Sequence, residues 1–420
     1  MISFLKRYQN HFIWVIVGLA LAIRLTALFN YGLSLFLNSD DAGYISSAVT
    51  FLETGMLTYH DPTHPTVHIM PGQTVLLAGV FFFLGHGDVG IYAAKTLFIL
   101  LGTLNVYLVY CLGKYIANIK AGLIAAFFLA IFVPQVLTDN LLLTETPFMT
   151  CLLGLIYFSI KLANEKKKSQ FFLVMLFYVS AIMFKATIAL YPFVLLIYLI
   201  TKKYPFKLAV KQALIAIGIL LITLGPWWVR NYIHYDEFIP LTGGSGNPLL
   251  LGTYQGHGYN IGEPYEKVKQ EIKEMDTEHA YERLSLQKEA AIERIKTWWE
   301  EDPRLFLKSY IEFKTVHQWE TQFYWIEIFN ISKELINKIQ VWIMYLGSAS
   351  LTVFFMLREG KREYMFLLLL ILYTTTLNNI FFSYDRYNQP FMFIIFLFVA
   401  SFLTTSIQLL KEKAFPVKPQ

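Results

Sequence analysis

The sequence predicts an all-α polytopic membrane protein, and three observations carry that prediction. Of 420 residues, 55% are hydrophobic and only 15% are Asp, Glu, Lys or Arg, against about 25% charge in soluble domains. Several apolar runs reach the roughly 20 helical residues needed to cross a hydrocarbon layer. Lys and Arg gather in alternate connections between those runs, as the positive-inside rule requires. An ordinary soluble enzyme is thereby excluded. The net charge of +5 is accounted for by topology, so nucleic acid is not an expected partner.

The first apolar stretch, from about 12 to 30 behind Lys6 and Arg7, is too long for a signal-peptide core and lacks a small-residue cleavage site, so it reads as an uncleaved span. Further spans are expected near 91–112, 119–137, 139–160, 170–184, 186–200, 208–229, 338–357, 364–382 and 390–410, about ten in all. Six segments hold 18 of the 35 Lys and Arg residues: the N-terminus, Lys114 with Lys120, Lys161 to Lys168, Lys202 to Lys211, Arg358 to Arg362, and the tail from Lys411. The stretch 31–90 has none. Both termini are therefore expected in the cytoplasm and 31–90 outside. Cys111 and Cys151 sit in apolar runs and form neither a disulfide framework nor a metal set.

Between two outer segments, the apolar piece 75–84 cannot be a span. It follows Pro71-Gly72 and has about half the necessary length, so it reads as an interfacial or re-entrant helix. Residues 40–54 repeat apolar positions at helical spacing (Ile45, Ala48, Val49, Leu52) and read as an amphipathic helix on the bilayer, with Ser39 as N-cap and Gly55 at its end. The second outer segment, 230–337, is polar, with helices expected around 265–300 and 303–316 separated at Asp302-Pro303. This divides the chain into an N-terminal module 1–229 with its outer loop 31–90, the outer helical segment 230–337, and C-terminal spans 338–420.

Chemistry is expected on the outer face. Asp40 and Asp41 fall in a first helical turn, where free N–H groups favour ionised carboxylates. Such a carboxylate can take a proton from a hydroxyl, or it can serve only to stabilise the helix end. Arg24, Lys95, Lys185, Arg230 and Arg386 all fall in or beside the outer halves of spans, where charge is costly. Their shared depth points to a bound anion, of which a lipid phosphate is the obvious example. Pairing with Asp139, Glu145 or Asp385 is the competing account. His60, His64 and His68 recur every four residues, but Pro62 and Pro65 break the helix that would align them, so a polar loop is expected instead of a metal site. Trp298, Trp299, Trp319 and Trp325 are expected to anchor the second outer segment at headgroup level. The charged mixture from Glu263 to Arg294 is expected to be a solvated helix face.

Several motifs are familiar. Ser39-Asp40-Asp41-Ala42-Gly43-Tyr44, Met70-Pro71-Gly72 with Leu77-Ala78, Thr144-Glu145-Thr146-Pro147, Lys185, the run Pro226 to Tyr232, and Arg386-Tyr387 with Pro390 together resemble the GT-C class of polyprenyl-phosphate-sugar-dependent glycosyltransferases. The branch is that of protein O-mannosyltransferases and bacterial aminoarabinose transferases. The resemblance implies a GT-C-like bundle and an inverting transfer of sugar from a polyprenyl-phosphate donor to a hydroxyl on an extracytoplasmic acceptor. It implies Asp40 or Asp41 as base; Asp41 stands where the family usually has glutamate, which leaves both open. It further implies Arg386, Lys185, Lys95, Arg230 and Arg24 as lipid-phosphate ligands, Tyr44, Glu145, Tyr387 and His68 as orienting groups, no metal requirement, and a bacterial plasma membrane location. A lipid-linked-sugar flippase or secondary transporter is the alternative from another class.

Overall fold

A computed structural model describes residues 11–59, 61–277, 280–357 and 361–414. The expected positions of His60, Arg358 and the two chain ends lie outside them. The described chain is helical throughout, in the order α1 (Phe12–Tyr31), α2 (Asp40–Thr54), α3 (Gly72–Leu84), α4 (Asp88–Ile116), α5 (Ile119–Ile131), α6 (Val133–Thr138), α7 (Glu145–Glu165), α8 (Lys168–Phe184), α9 (Tyr191–Thr201) and α10 (Phe206–Tyr235). The outer segment contributes α11 (Gly246–Gly252), α12 (Tyr265–Glu274), α13 (Ala280–Glu301), α14 (Pro303–Leu307), a π-helical stretch at Lys308–Phe313, and α15 (Lys314–Glu320). The chain closes with α16 (Lys333–Leu357), α17 (Lys361–Ile380), α18 (Asp385–Asn388) and α19 (Met392–Ala414).

Among the described residues, five helical stretches are long and apolar enough to cross a membrane: Phe12–Ser34, Asp88–Ile116, Glu145–Glu165, Phe206–Tyr235 and Asp385–Gln408. Gly72–Leu84, Ile119–Ile131, Lys168–Phe184 and Ala186–Thr201 are apolar but shorter. Two expected spans are cut by proline. Pro134 has no N–H and its ring would strike the carbonyl four residues back, so the helix breaks at Phe132, which is extended, and restarts as the short α6. Pro147 likewise stops a helix from running through from 139. It is tolerated in the first turn of α7, where the N–H groups lack intrahelical partners anyway. Residues 139–144 consequently form a buried, non-helical crossing.

The largest core joins α4, α5, α7, α8 and α19. The alanines of α5 allow close approach, and at the α4–α5 crossing a Cβ on Gly113 would lie 2.8 Å from the Cα of Gly122, so only small residues fit there. α10 leaves most of its surface uncovered, with Leu214, Ile217, Leu221 and Ile222 exposed, as suits a lipid-facing helix.

In the outer segment, two expectations hold only in part: Trp299 and Trp325 are exposed and Glu266, Lys269 and Lys273 are solvated, but three residues depart. Trp298 and Trp319 do not reach a headgroup layer. Trp298 is buried against Phe306 and Tyr310, and the indole N–H of Trp319 donates to Thr375 Oγ1 at 3.0 Å. Arg294 is not on a solvated face either. It stacks on Tyr254 at 3.6 Å and donates to Thr253 Oγ1 and to the carbonyls of Gly258, Ile261 and Glu263, closing the turn that precedes α12.

Candidate active site

The two aspartates at the start of α2 are turned apart by about 100°, the rotation between consecutive helical residues. Asp41 points into the protein. It is fully buried, and its carboxylate accepts N–H bonds from Leu37 (2.6 Å), Ser39 (3.1 Å) and Ala42 (3.0 Å). This carboxylate takes over the capping expected of Ser39, whose hydroxyl makes no cap bond. At the other end Gly55 adopts φ +74°, and its N–H returns to Phe51 C=O, ending the helix as its sequence foretold.

Asp40 faces the other way, into a cavity of about 890 Å³ between α2, the turn after α8, α17, α18 and the outer segment. Its Oδ1 accepts the hydroxyl of Tyr59 at 2.8 Å, and its Oδ2 accepts Arg386 Nη1 at 2.5 Å. Burial alone would raise its pKa. The Arg386 guanidinium and the Tyr59 hydrogen bond outweigh burial and hold the carboxyl below its ordinary 3.8. Tyr44, one helical turn on, shares the face of Asp40; burial pushes its phenol well up, so it is a neutral donor there.

Glu145 ties the cations together from the first position of α7, where the helix dipole favours a carboxylate. Its Oε1 accepts Arg386 Nε at 2.6 Å and Lys185 Nζ at 2.9 Å, and its Oε2 accepts Arg386 Nη2 at 3.2 Å. This fork-to-fork pair fixes the guanidinium plane. Lys185, at the break between α8 and α9, also lies 5.5 Å from the ring of Tyr387. The bonds to these two carboxylates use one of the three N–H groups of Lys185 and three of the five of Arg386. His68 stacks on Tyr59 at 5.6 Å and lines the same cavity. One flank is apolar, formed by Phe148, Phe184, Leu190, Leu377 and Phe381, and Leu190 is half exposed at its edge.

The cavity thus brings together Asp40, Tyr44, His68, Lys185, Arg386 and Tyr387 of the expected set, with Glu145 directly behind them. Arg24, Lys95 and Arg230 lie elsewhere, as does Asp41. Arg24 is fully buried and donates to Asp139 Oδ2 at 2.8 Å and to the carbonyls of Ala20 and Ala130. Lys95 donates to the carbonyls of Leu35 (2.6 Å) and Gly32 (3.1 Å), pinning the turn between α1 and α2. Arg230 donates to the carbonyls of Thr66 and Leu57 and lies over the rings of Trp227 and Tyr235. Of the competing acid pairings, Arg24 takes Asp139 while Lys185 and Arg386 share Glu145, and Lys95 and Arg230 are held by backbone carbonyls. His64 pairs with Asp61 at 2.9 Å on an exposed turn and shares no site with His68. Tyr59, in the cavity wall, escaped sequence reasoning because it lies in neither a motif nor a periodic run, and Trp325, expected as a headgroup anchor, lines the same cavity.

Residues 70–229 match the dolichyl-phosphate-mannose-protein mannosyltransferase family. No curated protein matches the sequence. Among solved structures, the oligosaccharyltransferase AglB of Archaeoglobus fulgidus, in complex with an inhibitory peptide and a dolichol-phosphate, is 14% identical with a TM-score of 0.55, covering 98% of this chain and 53% of that one. The apo form of the Archaeoglobus fulgidus oligosaccharyltransferase gives 12% identity and a TM-score of 0.56, with 99% and 53% covered. ArnT from Cupriavidus metallidurans bound to undecaprenyl phosphate is 12% identical with a TM-score of 0.46, over 98% and 82%. The chain spans about half the length of the archaeal enzymes. The likeness read from the motifs is borne out: this is a membrane protein of GT-C fold whose residues 70–229 match a family of lipid-phosphate-sugar-dependent glycosyltransferases.

Proposed function

We propose that the protein is an inverting glycosyltransferase that moves a sugar from a polyprenyl-phosphate donor to a hydroxyl on an extracytoplasmic acceptor. The observation that carries this reading is the cavity in which the Asp40 carboxylate touches Arg386, with Lys185 on the same Glu145 oxygen as that guanidinium. The donor phosphate takes the free N–H groups of Lys185 and Arg386 together with the Arg386 N–H that Asp40 gives up, and its polyprenyl tail leaves along the apolar flank past Leu190. The AglB complex with dolichol-phosphate supports a lipid phosphate in a fold of this kind. Three of the shorter apolar helices, α5, α8 and α9, with α16 and α17, complete an arrangement of about ten spans, with α2 and α3 embedded at the outer face of a bacterial plasma membrane and the termini in the cytoplasm.

In the reaction, the acceptor hydroxyl gives its proton to Asp40 as its oxygen forms a bond to the anomeric carbon. The bond from that carbon to the phosphate oxygen breaks, and its electron pair leaves on the phosphate, held by Arg386 and Lys185. The products are a glycosylated acceptor and polyprenyl monophosphate. Phosphate engagement draws Arg386 away from Asp40, which removes the main influence depressing that carboxylate and makes it a stronger base when the donor is in place. Since fixed cations stabilise the leaving group, the scheme calls for no metal.

Purified protein in detergent, given radiolabelled polyprenyl-phosphate-hexose and envelope extract, is expected to release polyprenyl monophosphate and pass label to an acceptor. An intact donor after prolonged incubation would refute the transferase reading and favour a flippase.

A further inference from the structure

The short α18 that carries Arg386 is reached through residues 381–384, and this loop is moulded almost entirely by the outer segment. Gln255, buried just after α11, pairs with both backbone groups of Ser383: its Nε2 donates to the Ser383 carbonyl at 2.7 Å and its Oε1 accepts the Ser383 N–H at 2.8 Å. The Ser383 hydroxyl donates to the carbonyl of Lys314 at 2.6 Å. Lys314 is itself fully buried, 3.5 Å from the ring centre of Tyr310, and its Nζ donates to the carbonyls of Asn379 (2.9 Å) and Phe381 (3.4 Å), the last turn and exit of α17. A Cβ on Gly252 would fall on the Phe381 carbonyl oxygen, so α11 lies directly on the loop.

Ser383 stands three positions before Arg386, a span of at most about 11 Å, and Ser383 has no exposed surface. A glutamine that satisfies both backbone groups of one residue fixes that residue's position and its peptide orientation together. The same stretch of the outer segment reaches the cavity through Asn247 and Pro248 at the start of α11. We propose that Gln255 is a positioning residue: by clamping Ser383 it sets Arg386 against Asp40 and Glu145, and so links the part of the outer segment that faces the acceptor to the cation that holds the donor phosphate. This rests on the transferase reading for its functional meaning, but its geometric content does not.

The test uses the full-length protein and the variants Q255L and Q255E, each imaged by electron cryo-microscopy at side-chain resolution and titrated with polyprenyl monophosphate. In Q255L, Arg386 is expected to leave hydrogen-bonding distance of Asp40 while α17 stays in place, with affinity for polyprenyl monophosphate down about ten-fold, the order expected for losing one or two buried hydrogen bonds. The acid limb of kcat/KM should also move to higher pH, because Asp40 loses the guanidinium that depresses its pKa; a general loss of stability would not move that limb. Q255E, which keeps an acceptor for the Ser383 N–H and loses only the donor to its carbonyl, should show a smaller displacement and covers the case in which Q255L does not fold. If Arg386 holds its position in whichever variants fold, the proposal is overturned. If wild type binds no lipid phosphate and transfers no sugar, the transferase reading fails, and the Arg386 position alone decides the clamp.

Discussion

Replacing Asp40 and Asp41 singly by asparagine should separate chemistry from folding at two adjacent positions. Asp40 is about a third exposed, and Arg386 keeps its fork on Glu145 when Asp40 is neutralised, so D40N should cost less than about 1 kcal/mol of stability. It removes the proposed proton acceptor, and loss of a positioned base lowers a rate by about 10² to 10⁴. Asp41 has the opposite profile. Its two oxygens satisfy three backbone N–H groups in a fully buried pocket. In D41N one oxygen becomes an NH₂ group facing at least one N–H, at a cost of about 1–3 kcal/mol for the unsatisfied donor. The assay is turnover per folded molecule in detergent beside a thermal unfolding scan of the same preparation. D40N should keep its Tm and lose turnover; D41N should lose Tm and keep most of its turnover per folded molecule. D40N at wild-type turnover, or D41N inactive at an unchanged Tm, would refute the assignment.

Other outcomes follow from the same geometry. Lys185→Met and Arg386→Lys should each weaken polyprenyl monophosphate binding by about ten-fold or more, since each removes a charge-assisted donor or the planar fork; unchanged binding by calorimetry would place the phosphate elsewhere. Arg24→Met leaves the carboxylate of Asp139 buried without its cation and should cost about 3–5 kcal/mol in stability, read by thermal unfolding, while the folded fraction keeps its donor KM; a raised KM would return Arg24 to the site. The pH profile of kcat/KM should be flat from about pH 8 to 5, because a carboxyl held below 3.8 stays ionised over that range. The stabilisation from its pairing is present above the unfolded pKa and is lost only as the pH falls through the depressed value. A fall between pH 6 and 7 would point to another group. Tyr59→Phe removes one hydrogen bond to Asp40, so the acid limb should shift upward with a rate change below about ten-fold; an unmoved limb would contradict that contact.

Much of the fold was legible because hydrophobic run length is a local property of a chain in a membrane. Helices formed at each expected span, and the 13-residue α3 followed the predicted break at Pro71-Gly72. The misplaced boundaries were those where Pro134 and Pro147 cut apolar stretches that composition alone treats as continuous. For the site, type and depth of charge were readable and partnership was not. Arg24 and Asp139 lie 115 positions apart, and Arg386 and Glu145 lie 241 apart, so no spacing rule tells a cation spent on a buried pair from one that faces a cavity. The choice between Asp40 and Asp41 was likewise closed to sequence. Only the entry angle of α2, set by the Leu37 and Ser39 N–H bonds, decides which one turns inward.

The most direct trial is a structure of the protein with bound polyprenyl monophosphate in lipid nanodiscs. The account predicts phosphate oxygens within hydrogen-bonding distance of Lys185 Nζ and the Arg386 guanidinium, Asp40 released from Arg386 beside them, and the prenyl chain leaving past Leu190. A headgroup seated instead at Arg230 or Lys95, or outside this cavity altogether, would contradict it.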